Sequence, residues 1–208
     1  KDFGTTLLVA TPSYAMRLAE VAMEMGIDPK KDTKLTTLCI GAEPHSEEQR
    51  KRIEQLLGVK AYNCFGMSEM NGPGVAFECK EQNGLHIWED YVIAEILDPE
   101  TLEPVAEGEV GELVLTTINR EAMPLFRYRT RDLTRFLPGE CPCGRTPRRI
   151  SRFQGRSDDM IILKGVNIFP IQIETILMQF KELSSNYLIT LTTQDTNDEM
   201  IVEVELDK

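Results

Sequence analysis

The feature that most constrains this chain is the alternation in its first 62 residues. A buried strand over residues 5–10 precedes Ala15, Leu18, Ala19, Ala22 and Met25 at helical spacing, which Gly26 closes. A Pro/Lys/Asp turn over 28–32 leads to an apolar strand at 35–40, a helical pattern at 46–57 and a short strand at 59–62. Strand, helix, strand, helix, strand is the pattern of a parallel α/β layer. Ser13 is placed to cap the first helix, and Ser46 with Gln49 has the spacing of a capping box for the second.

Open α/β sheets bind ligands beyond the carboxyl ends of their strands. Two segments leave such ends. Gly41-Ala42-Glu43-Pro44 offers small residues against which a flat ligand can lie, or it is a plain strand-to-helix turn. Tyr62-Asn63-Cys64-Phe65-Gly66-Met67-Ser68-Glu69 offers an aromatic face, a glycine, a hydroxyl and a carboxylate. That set suits a nucleotide with its metal: a ring to stack on the base, a hydroxyl for a phosphate oxygen, a carboxylate for Mg²⁺. A turn followed by a helix N-cap accounts for Gly-Met-Ser-Glu equally well.

Beyond Gly74 the pattern changes. Strands at 85–88, 91–97, 111–117 and 133–137 are separated by turns and no helix, which predicts an antiparallel β subdomain. Asp132, after a run of basic residues, is a candidate acceptor for sugar hydroxyls; pairing with Arg129 or Arg131 is the alternative. After Gly155-Arg156-Ser157-Asp158 come a strand at 160–163, the loop 164–167 with Lys164 and Gly165, and a helix at 171–180. Ile173, Ile176, Leu177 and Phe180 share one face of that helix. Strands at 187–192 and 200–206 flank a polar turn over 194–199. The expected division is 1–84, the α/β part of a large domain; 85–157, the antiparallel β subdomain of that domain; and 158–208, the start of a small α+β C-terminal domain. A chain that enters and leaves in mid-fold is expected to be a piece of a larger protein.

The 208 residues carry a net charge of −11. With a pI of about 4.8, this argues against non-specific binding to nucleic acid or anionic membrane. No apolar run reaches the ~18 residues of a membrane span, and no signal peptide is visible. Five cysteines in no disulfide framework point to a reducing cytoplasm. Cys141-Pro-Cys143-Gly144 puts two thiols on one turn, and Cys79 and His86 flank another. The four form a candidate structural Zn²⁺ site, against the alternative of unrelated loop residues. Cys39 and Cys64 lie on or beside strands and are expected to be packed.

Taken in order, Gly41-Ala-Glu-Pro44, Phe65-Gly-Met-Ser-Glu69, Gly111-Glu-Leu113, Tyr128-Arg-Thr-Arg-Asp132, Gly155-Arg-Ser-Asp158 and Lys164-Gly165 resemble the adenylate-forming superfamily of acyl-CoA synthetases. Thr11-Pro-Ser-Tyr14, the run 83–90 and Gly165-Val-Asn-Ile-Phe-Pro170 resemble its phenylacetate–CoA ligase branch. The resemblance implies ATP-dependent activation of an aromatic acid as acyl-AMP, then transfer to CoA. It implies Ala42, Glu43 and Pro44 along the adenine, Asn63 at the base edge and Phe65 stacked on it. Ser68 would bond the phosphate, Glu69 would bind Mg²⁺, and Asp132 would take the ribose hydroxyls with Arg156 close by. Asp158 would be the hinge of the C-terminal lid, Lys164 and Gly165 would turn towards the thioester-forming site, and Tyr14 would neighbour the acid pocket. Small-molecule partners (acid, ATP/AMP, CoA) and a homodimer are compatible with it. Phe65 and Ser68 replace the superfamily's usual Tyr and Thr, Arg131 its usual Gly, and His45 the branch's frequent Trp. The superfamily's Ser/Thr/Gly-rich phosphate loop is expected upstream of Lys1, and its adenylation lysine downstream of Lys208. The competing readings are an adenylate-forming enzyme for another acid and a non-catalytic nucleotide-binding homologue.

Overall fold

The alternation of the first 65 residues folds as a parallel layer in the computed structural model, which describes residues 2–70, 72, 74–180, 182–194 and 197–206. The order is β1 (Leu7–Ala10), α1 (Pro12–Glu24), α2 (Pro29–Asp32), β2 (Thr37–Ile40), α3 (Glu47–Leu57) and β3 (Lys60–Phe65). β2 runs parallel to both β1 and β3, with Leu38 opposite Leu8 and Ala61. Ala15, Ala19, Leu38, Ile40 and Ile53 from these elements form one buried core. Two local expectations change. Thr11, not Ser13, caps α1, because Pro12 takes the first helical position and the Thr11 oxygen accepts the Tyr14 N–H. The turn at 28–32 closes into the short α2, with Asp28 as its cap.

The chain continues through β4 (Ala76–Glu78), β5 (Leu85–Ile87), β6 (Val92–Leu97), β7 (Gly111–Thr117), β8 (Tyr128–Thr134), β9 (Phe136–Leu137) and β10 (Arg149–Ile150). These strands pair antiparallel, as expected, but in two sheets. One continues the parallel layer in the order β1-β2-β3-β4-β5-β10-β9; the other is β6-β7-β8. The first sheet therefore runs straight through position 84.

β3 is the pivot of that sheet. Its residues 60–63 pair parallel with β2, while Cys64 and Phe65 pair antiparallel with β4 on the other side. Among the described residues, the second edge of 60–63 pairs with no strand, and side chains satisfy its backbone instead. Glu54 accepts the Ala61 N–H at 2.9 Å, Gln82 donates to the Ala61 carbonyl at 2.8 Å, and Glu78 accepts the Asn63 N–H at 2.7 Å.

The C-terminal residues form the hairpin β11 (Ile161–Leu163) and β12 (Val166–Ile168), helix α4 (Pro170–Leu177), and the hairpin β13 (Leu183–Gln194) and β14 (Asn197–Leu206). The expected loop 164–167 thus shortens to Lys164 and Gly165, which both take positive φ and turn the chain in two residues, while Val166 and Asn167 join β12. Gln194 and 197–199 of the expected polar turn belong to the two strands, and residues 195 and 196 lie outside the described residues. The face expected of α4 is also corrected. Glu174 is its buried residue, at 8% exposure, while Ile176 is 58% exposed. The carboxylate is drawn inward by the N-terminus of α3, where it accepts the Ser46 N–H at 2.8 Å.

Candidate active site

The two segments at the strand ends meet. A Cβ on Gly41 would stand 2.2 Å from the Cys64 carbonyl oxygen, so only glycine lets the 41–44 loop lie against β3 here. Ala42 then takes a left-handed φ of 66°. The Glu43 carboxylate accepts the Ser13 N–H at 3.1 Å and the Ser13 hydroxyl at 2.8 Å, which ties the loop to the first turn of α1. Tyr14, one residue on, is exposed. Pro44 is exposed as well, while Asn63 is buried and held through its backbone by Glu78. The Phe65 ring packs on Phe153, centroids 4.6 Å apart. Ser68 and Glu69 are exposed at the head of the loop. Arg120 donates to the carbonyls of Glu69 and Met70 and so holds that head.

Phe153 belongs to the segment 151–157, which runs along β8 and carries Arg156. Leu133 N–H donates to the Gly155 carbonyl, and Ser157 N–H to the Arg131 carbonyl. Arg156 therefore faces Asp132, with Nη1 at 3.6 Å from Oδ1, while its Nε and Nη2 fork onto Asp158 at 3.0 Å each. Burial pushes the Asp132 carboxyl up to about 6, against the lowering effect of Arg156. Neither Arg129 nor Arg131 pairs with Asp132. Both face Glu112, which is 1% exposed. Burial alone would raise the Glu112 carboxyl, but the two-pronged bond from Arg129, at 2.8 and 2.7 Å, holds it below the usual carboxylate range. Arg131 has a φ of 70°, the left-handed region that favours the glycine it replaces, and the β7–β8 register shifts beside it. Lys164 and Gly165 form the exposed tip of the β11–β12 hairpin.

The four candidate zinc ligands converge. The ligand atoms of Cys79, His86, Cys141 and Cys143 all lie within 4.8 Å of one another. The Cys79 and Cys141 sulfurs are 3.6 Å apart, and Cys143 Sγ is 3.5 Å from His86 Nε2. Two thiolates on one tetrahedral Zn²⁺ stand ~3.7 Å apart, so the cluster fits that ion. His86 Nδ1 lies 3.2 Å from the Pro147 carbonyl, an orienting contact that leaves Nε2 for the metal. Cys39 and Cys64 are half-buried outside this cluster, and burial raises the Cys64 thiol to about 11.

Several residues of the site carry no signal in the sequence. Glu78, Arg50, Arg152 and Glu47 form a charged group behind the 41–44 loop. Arg152 donates to the His45 carbonyl at 3.2 Å and pairs with Glu47, which also takes Arg50. His45 is depressed to about 4 by burial and by Arg152. These contacts join positions up to 107 residues apart, so no local pattern announces them.

Residues 1–119 match the AMP-binding enzyme family, and residues 165–208 match the AMP-binding enzyme C-terminal domain. The chain belongs to the AMP-binding enzyme family. Within it, the chain is similar to phenylacetate-coenzyme A ligase of Pseudomonas putida, 48% identical over 99% of this chain and 46% of that protein. It therefore spans about half the length of this curated relative. Among solved structures it resembles a 2-hydroxyisobutyryl-CoA ligase in the postadenylation state with an acyl-AMP, with a TM-score of 0.91 and 32% identity over 100% of this chain and 44% of that one. Against the same ligase with acyl-AMP and CoA in the thioesterification state, the TM-score is 0.72, with 33% identity over 99% of this chain and 44% of that one. The mixed sheet with its antiparallel additions is thus the fold of this family's adenylate-forming enzymes. Among the described residues, no helix is long and apolar enough to cross a membrane.

Proposed function

We propose that the chain is the nucleotide-binding and lid-bearing part of an ATP-dependent acyl-CoA ligase, and that the whole protein converts an aromatic acid, phenylacetate first among candidates, to its CoA thioester. The observation that supports this is the packing of the 41–44 loop on Cys64 of β3, with Phe65 stacked on Phe153 of the segment that carries Arg156 beside Asp132, in a fold shared with acyl-AMP-bound relatives. Ala42, Glu43 and Pro44 would line adenine, Asn63 would meet its edge and Phe65 its face. Asp132, with Arg156, would accept the ribose hydroxyls. Ser68 would donate to phosphate. Glu69, an exposed oxygen donor beside it, has the chemistry to help hold Mg²⁺.

The acid's carboxylate attacks the α-phosphorus of ATP, forming acyl-AMP and releasing pyrophosphate; the CoA thiol then displaces AMP. Both steps gather negative charge, so cationic groups stabilise them and binding aligns them. In this reading residues 158–208 are the lid, Asp158 is its hinge, and Lys164 and Gly165 approach the thioester-forming site in a second orientation. Tyr14 would border the acid. Cys79, His86, Cys141 and Cys143 would hold a structural Zn²⁺ that ties β5 to the 141–144 loop. Five free thiols suit a reducing compartment such as the cytoplasm.

In the full-length protein, Glu69→Gln should slow acid-dependent pyrophosphate exchange and Asp132→Ala should weaken ATP binding. Parental rates and affinity in both variants would overturn these roles. Exchange with a different acid but not with phenylacetate would keep the reaction class and reassign the substrate.

A further inference from the structure

The capping box read from the sequence is only half formed. The Ser46 hydroxyl accepts the Gln49 N–H at 3.1 Å, as a box requires. The reciprocal bond, from the Ser46 N–H to the Gln49 side chain, is missing. That N–H donates instead to Glu174 Oε1 of α4, 128 residues away. The Gln49 Oε1 atom is left buried with no hydrogen-bond partner among the described residues. Buried polar atoms without partners are rare, and each one calls for a reason.

We propose that Glu174 and Gln49 are rival acceptors for the Ser46 N–H, and that their exchange sets the orientation of residues 158–206 against the α/β layer. With Glu174 in place, the C-terminal unit is docked. Glu174 is fixed at its other oxygen by the Tyr187 hydroxyl at 3.5 Å, and Arg52 reaches the Leu183 carbonyl at 2.8 Å beside it. When the unit swings away, the N–H that Glu174 releases would be orphaned at a helix start. Gln49 is the resident group that can take it, completing the box and losing its own unpaired oxygen. The N-terminus of α3 is therefore satisfied in both positions, and the exchange lowers the difference in free energy between them. Such a two-state contact is what a repeatedly moving lid needs.

The exchange also acts at a useful place. Ser46 ends the segment that begins at Gly41, and Arg152 grips the same segment at the His45 carbonyl and Glu47. A change at the Ser46 N–H is thus transmitted to the 41–44 loop. That last link rests on the nucleotide role proposed for the loop; the exchange itself does not.

The test needs no nucleotide, so it stands apart from the ligase reading. Amide hydrogen exchange at Ser46 and small-angle scattering are measured on the protein and on Glu174→Ala, Gln49→Leu and the double variant. In each single variant the surviving acceptor keeps the Ser46 amide protected. In the double variant its exchange should rise about fivefold or more, the factor a capping hydrogen bond carries. Glu174→Ala should expand the scattering profile, Gln49→Leu should not, and Glu174→Gln, which keeps an acceptor oxygen, should restore the compact form. If Glu174→Ala alone frees the amide as fully as the double variant, Gln49 is no rival. If Glu174→Ala leaves the scattering unchanged, Glu174 holds nothing. Should Glu174→Ala fail to fold, Glu174→Leu, alone and with Gln49→Leu, carries the test: a Ser46 amide protected in the single variant and freed in the double supports the exchange, and one freed equally in both overturns it.

Discussion

Replacing Asp132 by asparagine should make the protein more stable while damaging the site. The side chain is 16% exposed, and its nearest cation, on Arg156, stands at 3.6 Å and is shared with Asp158. Burial lifts its folded-state value to about 6, from an ordinary 3.8. The sign follows from proton linkage. Between those two values the folded chain binds more protons than the unfolded chain, so stability falls as pH rises through that window. Above it the cost is constant, at roughly 3 kcal/mol for about two units at 1.36 kcal/mol each. Asparagine keeps the shape and carries no charge, so Asp132→Asn should recover part of this, about 1–3 kcal/mol at pH 7.5. At pH 3.5 the gain should shrink to a few tenths of a kcal/mol, because aspartate is then protonated in the folded state and mostly protonated in the unfolded one. Urea unfolding of both proteins at the two pH values measures it directly. A variant that is less stable at pH 7.5, or whose gain persists unchanged at pH 3.5, would refute the reasoning.

Three further outcomes follow from the geometry. Protein purified without added metal should hold about one zinc per chain, and Cys141→Ser/Cys143→Ser should lose it and melt at a lower temperature; metal well below stoichiometry, with no change on mutation, would rule the site out. Gly41→Ala should cost about 1–3 kcal/mol in urea unfolding, because the added methyl meets the backbone oxygen of Cys64 at 2.2 Å. Glu112→Gln should also destabilise, by roughly 1–3 kcal/mol, since it takes the charge out of the two-pronged bond between the buried Glu112 carboxylate and the partly exposed Arg129; unchanged stability would show that the arginine finds water instead.

The parallel layer was legible because each of its elements has a short period: apolar blocks for β1 and β2, helical spacing for α1, a cap and glycine stop for α3; β1, expected buried, leaves Leu7 and Val9 exposed. The convergence of Cys79, His86, Cys141 and Cys143 was legible for a different reason. One pair lies on a turn and the other flanks one, and few residue types bind metal. What stayed hidden depends on contacts distant in sequence. Glu112 reads as an ordinary strand glutamate until Arg129, Arg131 and Ser157 are folded around it. Glu78 replaces a strand that β3 lacks on one edge, a need that arises only once the sheet forms. α4 misled because its isoleucines predict the buried face, whereas the N–H of Ser46 decides it.

One assay on the full-length protein with phenylacetate, ATP and CoA, following thioester, AMP and pyrophosphate together, decides whether it is such a ligase. All three should form in equal amounts, dependent on the acid, and the 208-residue chain alone should give no thioester. ADP as the nucleotide product, or thioester formation by the purified 208-residue chain, would contradict it.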